Sequence, residues 1–394
     1  MTGGFYLSEV GVVCAMGSSR AEIARRLFAG ECGVAMTDRY SVGNARPVGA
    51  VSAELPALDG WPVEMRSRNN QLALAAAEQL RDAVAAAVDR YGVDRVAVVI
   101  GTSTSGIGES EAAIRAHAKT QSMPSTYAFA QQELQSPSAF LASALGIRGP
   151  AFVHSSACAS SAKAMAAAAR LLRLGAADAV VTGGVDSLCA FTLAGFDSLH
   201  LLSGSRCNPL SANRDGINIG EAAAFFLMTR EPATVSLRGW GESSDGHHFS
   251  APDPSGNGAR IAIEQALTRA EIGTADIEYV NLHGTATPAN DAMESAVVHA
   301  LFEERVPVSS TKPMTGHTLG AAGALEAALC WITMQDDNST GRVPPHIWDG
   351  EHDPSLARLQ KVNVGDTLGR PPRYALSNSF AFGGANAALV FGRE

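Results

Sequence analysis

The chain has 394 residues, 46% hydrophobic and 18% charged, an ordinary globular composition with enough apolar surface for a sizeable core spread over two or three domain-sized units. Its formal net charge of −9 excludes a general nucleic-acid binder, which needs a net basic face. The six cysteines (Cys14, Cys32, Cys158, Cys189, Cys207, Cys330) contain no C-x-x-C pair, so neither a zinc site nor a disulfide framework is indicated, and free thiols fit a reducing cytoplasm.

In chain order, residues 5–13 read as a strand and 19–29 as a helix with Ser19 as its N-cap. The 70–89 stretch predicts one long amphipathic helix. It is followed at 96–100 by an apolar, β-branched strand of the kind found in a sheet covered on both faces. Residues 136–145 read as helical, 150–153 as a short buried strand, and 160–174 as an Ala-rich helix closed by Gly175. Strands are expected at 179–182 and 222–228. The second half repeats the plan, with strands at 234–240, 276–281 and 306–309 and helices at 258–270, 292–302 and 320–336. Residues 374–379 and 386–391 pair as a hairpin around a Gly-Gly turn, after a Pro/Gly-rich surface loop at 341–354. Alternating strands and helices predict an α/β fold with buried sheets, in two similar units spanning 1–232 and 233–394. Residues 1–11 lack the basic and apolar regions of a signal peptide. The longest uncharged apolar run, 155–169, is interrupted by Lys163 and too short to span a membrane, so a cytoplasmic protein is expected.

Four motifs carry the chemistry. The first centres on Cys158, in the run from His154 to Ala162, at a strand-to-helix junction. Helix N-terminal N–H groups and the helix dipole favour a thiolate there, so a lowered thiol pKa and a sulfur nucleophile are expected; the same position also suits an inert, packed cysteine. The second places His283 directly after an apolar strand, followed by Gly284, Thr285, Thr287 and Pro288, where α/β proteins put ligands. The third runs from Ser309 to Glu326 around His317, with Lys312 and Glu326 either an ion pair or functional groups. The fourth, Ser377 to Asn386, is either a plain hairpin turn or a backbone N–H aimed at an oxyanion beside the large aromatic Phe382.

Together these motifs resemble the β-ketoacyl-acyl-carrier-protein synthases, the thiolase-fold condensing enzymes. The matching runs are S-A-C-A-S-S-A at Cys158, N-x-H-G-T-x-T-P-x-N-D at His283, S-S-T-K-x-M-T-G-H-x-L-G-A-A-G from Ser309 to Gly323, and S-N-S-F-x-F-G-G-x-N from Ser377 to Asn386. Asn213 to Gly216, with Gly220 and Glu221, adds to the likeness, which covers essentially the whole chain. The pair of histidines matches the elongating, Cys-His-His branch.

The resemblance implies a five-layered αβαβα sandwich of two βαβαβ-type halves. It implies a decarboxylative Claisen condensation in which an acyl group on Cys158 is extended by two carbons from malonyl-acyl carrier protein. Under it, the backbone N–H groups of Cys158 and Phe382 form the oxyanion hole, and His283 and His317 stabilise the enolate. Lys312 tunes the two histidines, while Glu326 and Asn386 are structural neighbours. Thr285 and Thr287 hold the phosphopantetheine arm; Ile107 and Phe196 wall the acyl pocket; Phe382 is the gate. No bound cofactor and no metal are implied. The implied partners are an acyl carrier protein, with Arg66 and Arg68 as candidate docking residues, and a second copy of the chain. A heterodimer with a related ketosynthase-like subunit is the alternative.

Departures from the family pattern are Ala381 where Gly is frequent, Ile217 where Phe is common, and a shortened 203–212 segment. Three rivals are set against this reading. A non-catalytic chain-length-factor-like subunit would lack the cysteine. The second is a thiolase or a cysteine acyl hydrolase; a biosynthetic thiolase would need a second late cysteine, and Cys330 falls inside a helix. A Cys158/His283/His317 metal centre lacks ligand spacing.

Overall fold

Largely apolar runs, most of them buried on both faces, put ten strands into one continuous sheet of the computed structural model, which describes residues 4–41 and 43–394. The first half contributes β1 (Phe5–Cys14), β2 (Val96–Gly101), β3 (Ala151–His154), β4 (Ala179–Asp186) and β5 (Ala222–Thr229). The second contributes β6 (Val235–Ser244), β7 (Tyr279–Asn281), β8 (Pro307–Ser309), β9 (Tyr374–Ala381) and β10 (Ala385–Arg393). From one edge the order is β8-β7-β9-β10-β6-β1-β5-β4-β2-β3, with a two-residue strand, Gln360–Lys361, added beyond β8. Each half therefore shows the same order: its first strand lies at the centre of the molecule and its third toward the outside. The pairing senses match as well. β2 lies parallel to β3 and β4, and β5 is antiparallel to β4 and β1; β7, β8, β9, β10 and β6 repeat this. The halves join where β1 and β6 pair, with Phe5 opposite Leu237 and Tyr6 opposite Ser236.

Eleven helices are described: α1 (Arg20–Ala29), α2 (Arg68–Ala77), α3 (Arg81–Tyr91), α4 (Ile107–Thr120), α5 (Ser136–Ala144), α6 (Ser160–Leu174), α7 (Ala190–Ser198), α8 (Asn257–Ala270), α9 (Pro288–Phe302), α10 (Lys312–Thr315) and α11 (Ala322–Thr333). Because successive strand residues face opposite sides, β2 sends Ala97 and Val99 to a central core and Val98 and Ile100 to an outer one. The central core holds the alanines of α6 and nearly all of α11, sandwiched between the two half-sheets. Outside it, α2 and α5 cover the first half-sheet, and α8 and α9 cover the second. These are the five layers of the thiolase-like arrangement.

The expected single helix over 70–89 is corrected to two, with a one-turn break at Glu78–Leu80 between α2 and α3. Inside the break, Gln79 turns to the sheet: its side chain donates to Val12 O at 3.1 Å and accepts from Val12 N at 3.3 Å. α2 also runs against β1 where only a glycine fits, since a Cβ on Gly11 would lie 2.0 Å from Ala76 O. α4 and α7 carry almost no apolar stripe, burying only Ser110 and Ala113 in one and Leu193 in the other, so periodicity gave no sign of them. Among the described residues, no helix is long and apolar enough to cross a membrane.

Candidate active site

Cys158 lies on the sharp turn between β3 and α6. Ala157 takes a left-handed φ of 46°, a strained conformation for a residue with a side chain. The Ser160 hydroxyl holds the turn, accepting from Ser156 N at 2.8 Å and donating to Ala157 O at 2.5 Å. Cys158 as a whole is 6% exposed. The expected fall in its pKa is corrected: burial pushes the thiol up to about 12, and the opposing pull of the Lys312 ammonium is smaller. Exclusion of water is the largest influence on it, so the resting residue is a neutral thiol.

His283 sits two residues beyond β7. Its backbone N–H and that of Gly284 donate to the Glu294 carboxylate of α9, at 2.8 and 2.7 Å. Glu294 also accepts from Asn290 and Asn378, each at 3.3 Å. Asp291, one turn earlier on α9, takes the N–H groups of Leu210 and Ala286 at 2.8 and 3.2 Å. Sequence reasoning assigned no role to Glu294; the signal was its place, with Asp291 at i−3, on the helix following the histidine loop.

His317 follows α10 and is held by its main chain. Its N–H donates to Asn218 O at 2.6 Å, and its carbonyl accepts from Gly220 N at 2.8 Å. The Asn213–Glu221 motif therefore contributes by seating this histidine. His317 Nε2 lies 3.0 Å from Cys158 Sγ. The two imidazoles cross edge to face at 5.3 Å and 85°, and the sulfur and one ring nitrogen from each lie within 4.8 Å of one another.

Lys312, 1% exposed, forms an ion pair with Glu326 of α11 and places its Nζ 3.5 Å from His283 Nδ1. An ammonium group has donors only. His283 Nδ1 must then accept, which leaves the proton on Nε2. Burial first, then the nearby ammonium, hold both histidines well below the ordinary imidazole range, so both are neutral. Burial raises the Glu326 carboxyl and Lys312 opposes that rise. The same ammonium bears on a metal reading. Folding brings Cys158, His283 and His317 into ligand reach of one another, which sequence spacing did not suggest, but Lys312 repels a second cation and keeps His283 Nε2 protonated.

The three groups open into a cavity of about 290 Å³. Thr285, Thr287, Phe196, Phe382 and Asn386 are among its lining residues, together with Ile217. The Thr285 and Thr287 hydroxyls are 3.0 Å apart. Phe382 directs its backbone N–H at Cys158 Sγ and stacks its ring on Phe196 at 5.5 Å and 37°. Asn386 is fixed by donating to Asp245 at 2.6 Å. Ile107 opens α4, half-buried, after the turn wound round the Asp186 carboxylate, and is not among the residues that line this cavity. Arg68 is a correction. Its guanidinium turns inward to the buried Glu221 carboxylate, at 2.9 and 2.5 Å. Arg66 is spent on the carbonyls of Trp61 and Asp59, at 2.6 and 2.8 Å. Cys330 is fully buried in α11 and is not among the residues lining the cavity.

Comparison with known proteins agrees with this geometry. The N-terminal domain description of the beta-ketoacyl synthases matches residues 10–233, and their C-terminal domain description matches residues 234–347. Nodulation protein E of a Rhizobium species is 30% identical over 403 residues, 98% of each chain. The 3-oxoacyl-[acyl-carrier-protein] synthase 2 of Staphylococcus aureus is 33% identical over 264 residues, 63% of this chain and 64% of that protein. Among solved structures, a ketosynthase (ApeO) from Xenorhabdus doucetiae, in complex with its chain length factor (ApeC), is 42% identical with a TM-score of 0.93, covering 99% of this chain and 98% of that one.

Proposed function

We propose, from the premise that the chain belongs to the beta-ketoacyl synthase family, that it joins an acyl group held on Cys158 to a malonyl unit delivered by an acyl carrier protein, lengthening a fatty-acid or polyketide-type chain by two carbons. The observation that carries this reading is the 3.0 Å contact between Cys158 Sγ and His317 Nε2, with His283 in the same buried cavity.

In the loading step, His317 Nε2 takes the thiol proton as Sγ attacks the thioester carbonyl. The C–S bond to the carrier then breaks, and the departing carrier thiolate takes from His317 the proton that Cys158 gave up. Because the resting thiol is neutral, proton transfer accompanies attack rather than preceding it. The backbone N–H groups of Phe382 and Cys158 meet the developing oxyanion, and one such donor contributes about 3 kcal/mol in comparable sites. In the second step malonyl-carrier protein loses carbon dioxide. The enolate oxygen receives a hydrogen bond from His283 Nε2–H, and a second from His317 once its Nε2 has taken a proton from solvent. The resulting carbanion attacks the acyl-Cys158 carbonyl, a carbon–carbon bond forms, the C–S bond breaks, and the released thiolate takes that proton from His317 Nε2. Lys312 keeps His283 in the donating tautomer, and Glu326 balances the charge of Lys312. Thr285 and Thr287 bind the phosphopantetheine arm, Phe196 walls the acyl end and Phe382 gates it. No resident cofactor enters these steps.

The repeated strand order supports dividing the chain into halves at 1–232 and 233–394. Six free cysteines support a cytoplasmic setting. The free side of the edge strand β3, half-buried throughout, suits pairing with a second subunit. A homodimer is one reading. The 42%-identical ketosynthase bound to a chain length factor favours the other, a heterodimer with a related subunit. Incubation with a panel of acyl-carrier proteins, read by intact mass, tests the function: the parent protein gains the acyl mass and Cys158→Ala gains none. Light scattering of the chain, alone and co-expressed with a chain-length-factor-like subunit, separates the two assemblies.

A further inference from the structure

Asp186 ends β4 at the seam between the two halves, fully buried. Its carboxylate gathers neutral donors. From the turn after β2 it accepts Thr102 Oγ1 at 2.6 Å, Ser103 N at 2.8 Å, Ser103 Oγ at 2.5 Å, and Thr104 N and Oγ1 at 2.9 Å each. From the other half it accepts Gly320 N at 2.6 Å. Gly320 lies three residues after His317, in the turn Leu319–Ala321 that leads into α11. Both turns meeting at this carboxylate carry strain. Ser105 has φ 46° on the first-half side and Leu319 has φ 51° on the other, left-handed values that persist only where the surroundings fix them. The fit at the contact is close: a Cβ on Gly320 would lie 2.7 Å from both Asp186 Oδ2 and Ser103 N. A fully buried carboxylate needs hydrogen-bond donors in place of water, and these turns supply them.

We infer that Asp186 is a positioning residue for acyl transfer: it ties the turn after His317 to the first half of the chain and so holds the His317 ring at Cys158. Cys158 belongs to the first half and His317 to the second, and their 3.0 Å contact is only as fixed as the link between the halves. The main-chain bonds to Asn218 and Gly220 seat His317 on the side toward α10, and the Asp186 clamp fixes the side toward α11. This role rests on the proposal that His317 serves Cys158 in acyl loading.

The test uses the full chain and single-turnover loading from an acyl-carrier protein, read by intact mass, with melting curves on every variant. Gly320→Ala keeps the carboxylate but displaces its cross-half donor. Thr102→Val removes one donor at constant size, and Thr102→Ser restores it. Asp186→Asn removes the charge. The limiting loading rate is expected to fall at least tenfold in Gly320→Ala and Asp186→Asn and several-fold in Thr102→Val. The half-saturating carrier concentration should stay within twofold, and Thr102→Ser should load at the parent rate. A purely structural role would lower melting temperatures and leave the limiting rate of the folded fraction intact; that result overturns the inference. Should Asp186→Asn not fold, the Gly320 and Thr102 variants decide alone, and parental rates in both overturn it. Failure of the parent protein to load Cys158 at all would instead refute the proposed function.

Discussion

A neutral resting thiol can be tested by replacing its base. Burial moves Cys158 from an ordinary 9.0 to about 12, three pH units, which at ~1.36 kcal/mol per unit is about 4 kcal/mol against the thiolate and roughly a thousandfold less of it at neutral pH. His317 Nε2, 3.0 Å away and itself neutral, offers the other route, removing the proton as the sulfur attacks. His317→Gln keeps the space filled but removes the base. The assay follows iodoacetamide labelling of Cys158 by peptide mass from pH 6.5 to 10. At pH 7 the variant should label about 10²–10⁴-fold more slowly than the parent, the usual range for general-base help. Its rate should then climb about tenfold per pH unit without levelling. A variant that labels within threefold of the parent at pH 7, or whose rate levels off by pH 8, would refute the reasoning, because the helix end alone would then be ionising the sulfur.

Lys312→Met leaves Glu326 buried without a partner and should cost about 3–5 kcal/mol in urea denaturation; the double change Lys312→Met/Glu326→Leu should recover most of that stability but no condensation activity. His346 is fully buried and neutral, accepting from Ser310 N at 3.1 Å and contacting Pro209 O at 3.0 Å through Nε2, with its pKa lowered from 6.5 to about 4. The unfolded chain takes up a proton below pH 6.5 that the folded chain refuses, so stability is complete above pH 6.5 and falls by about 3 kcal/mol toward pH 4; urea midpoints of His346→Gln should lack that part of the slope. Gly11→Ala puts a methyl group on the Ala76 carbonyl and should destabilise the fold by about 1–3 kcal/mol, seen as a lower melting temperature with the loading rate per folded molecule unchanged.

What the sequence shows readily is whatever depends on local pattern. The β-branched run of β2 and the Ala-rich α6 announce themselves, and the small-residue motifs at Cys158, His283 and His317 mark the loops that converge. Pattern does not reach what long-range packing decides. α2 and α3 separate because Gln79 reaches Val12, sixty-seven residues away in sequence. α4 and α7 have no apolar stripe to read. The thiol pKa is not legible in sequence because helix position is local whereas burial belongs to the whole fold. Arg68 reads in sequence as a surface cation, and only the fold sets Glu221, 153 residues away, beside it. Asp186 lies outside every motif, and only the meeting of two distant turns reveals it.

The central claim is that the acyl group on Cys158 leaves by carbon–carbon bond formation. Protein preloaded with an acyl group should be mixed with malonyl-carrier protein in a single turnover, with the masses of both proteins followed. The acyl mass should disappear from the enzyme as a β-ketoacyl carrier, two carbons longer than the loaded chain, appears in equal amount. Release of that acyl group as free acid, with the malonyl-carrier protein unchanged, would contradict the claim and mark the protein as a cysteine acyl hydrolase.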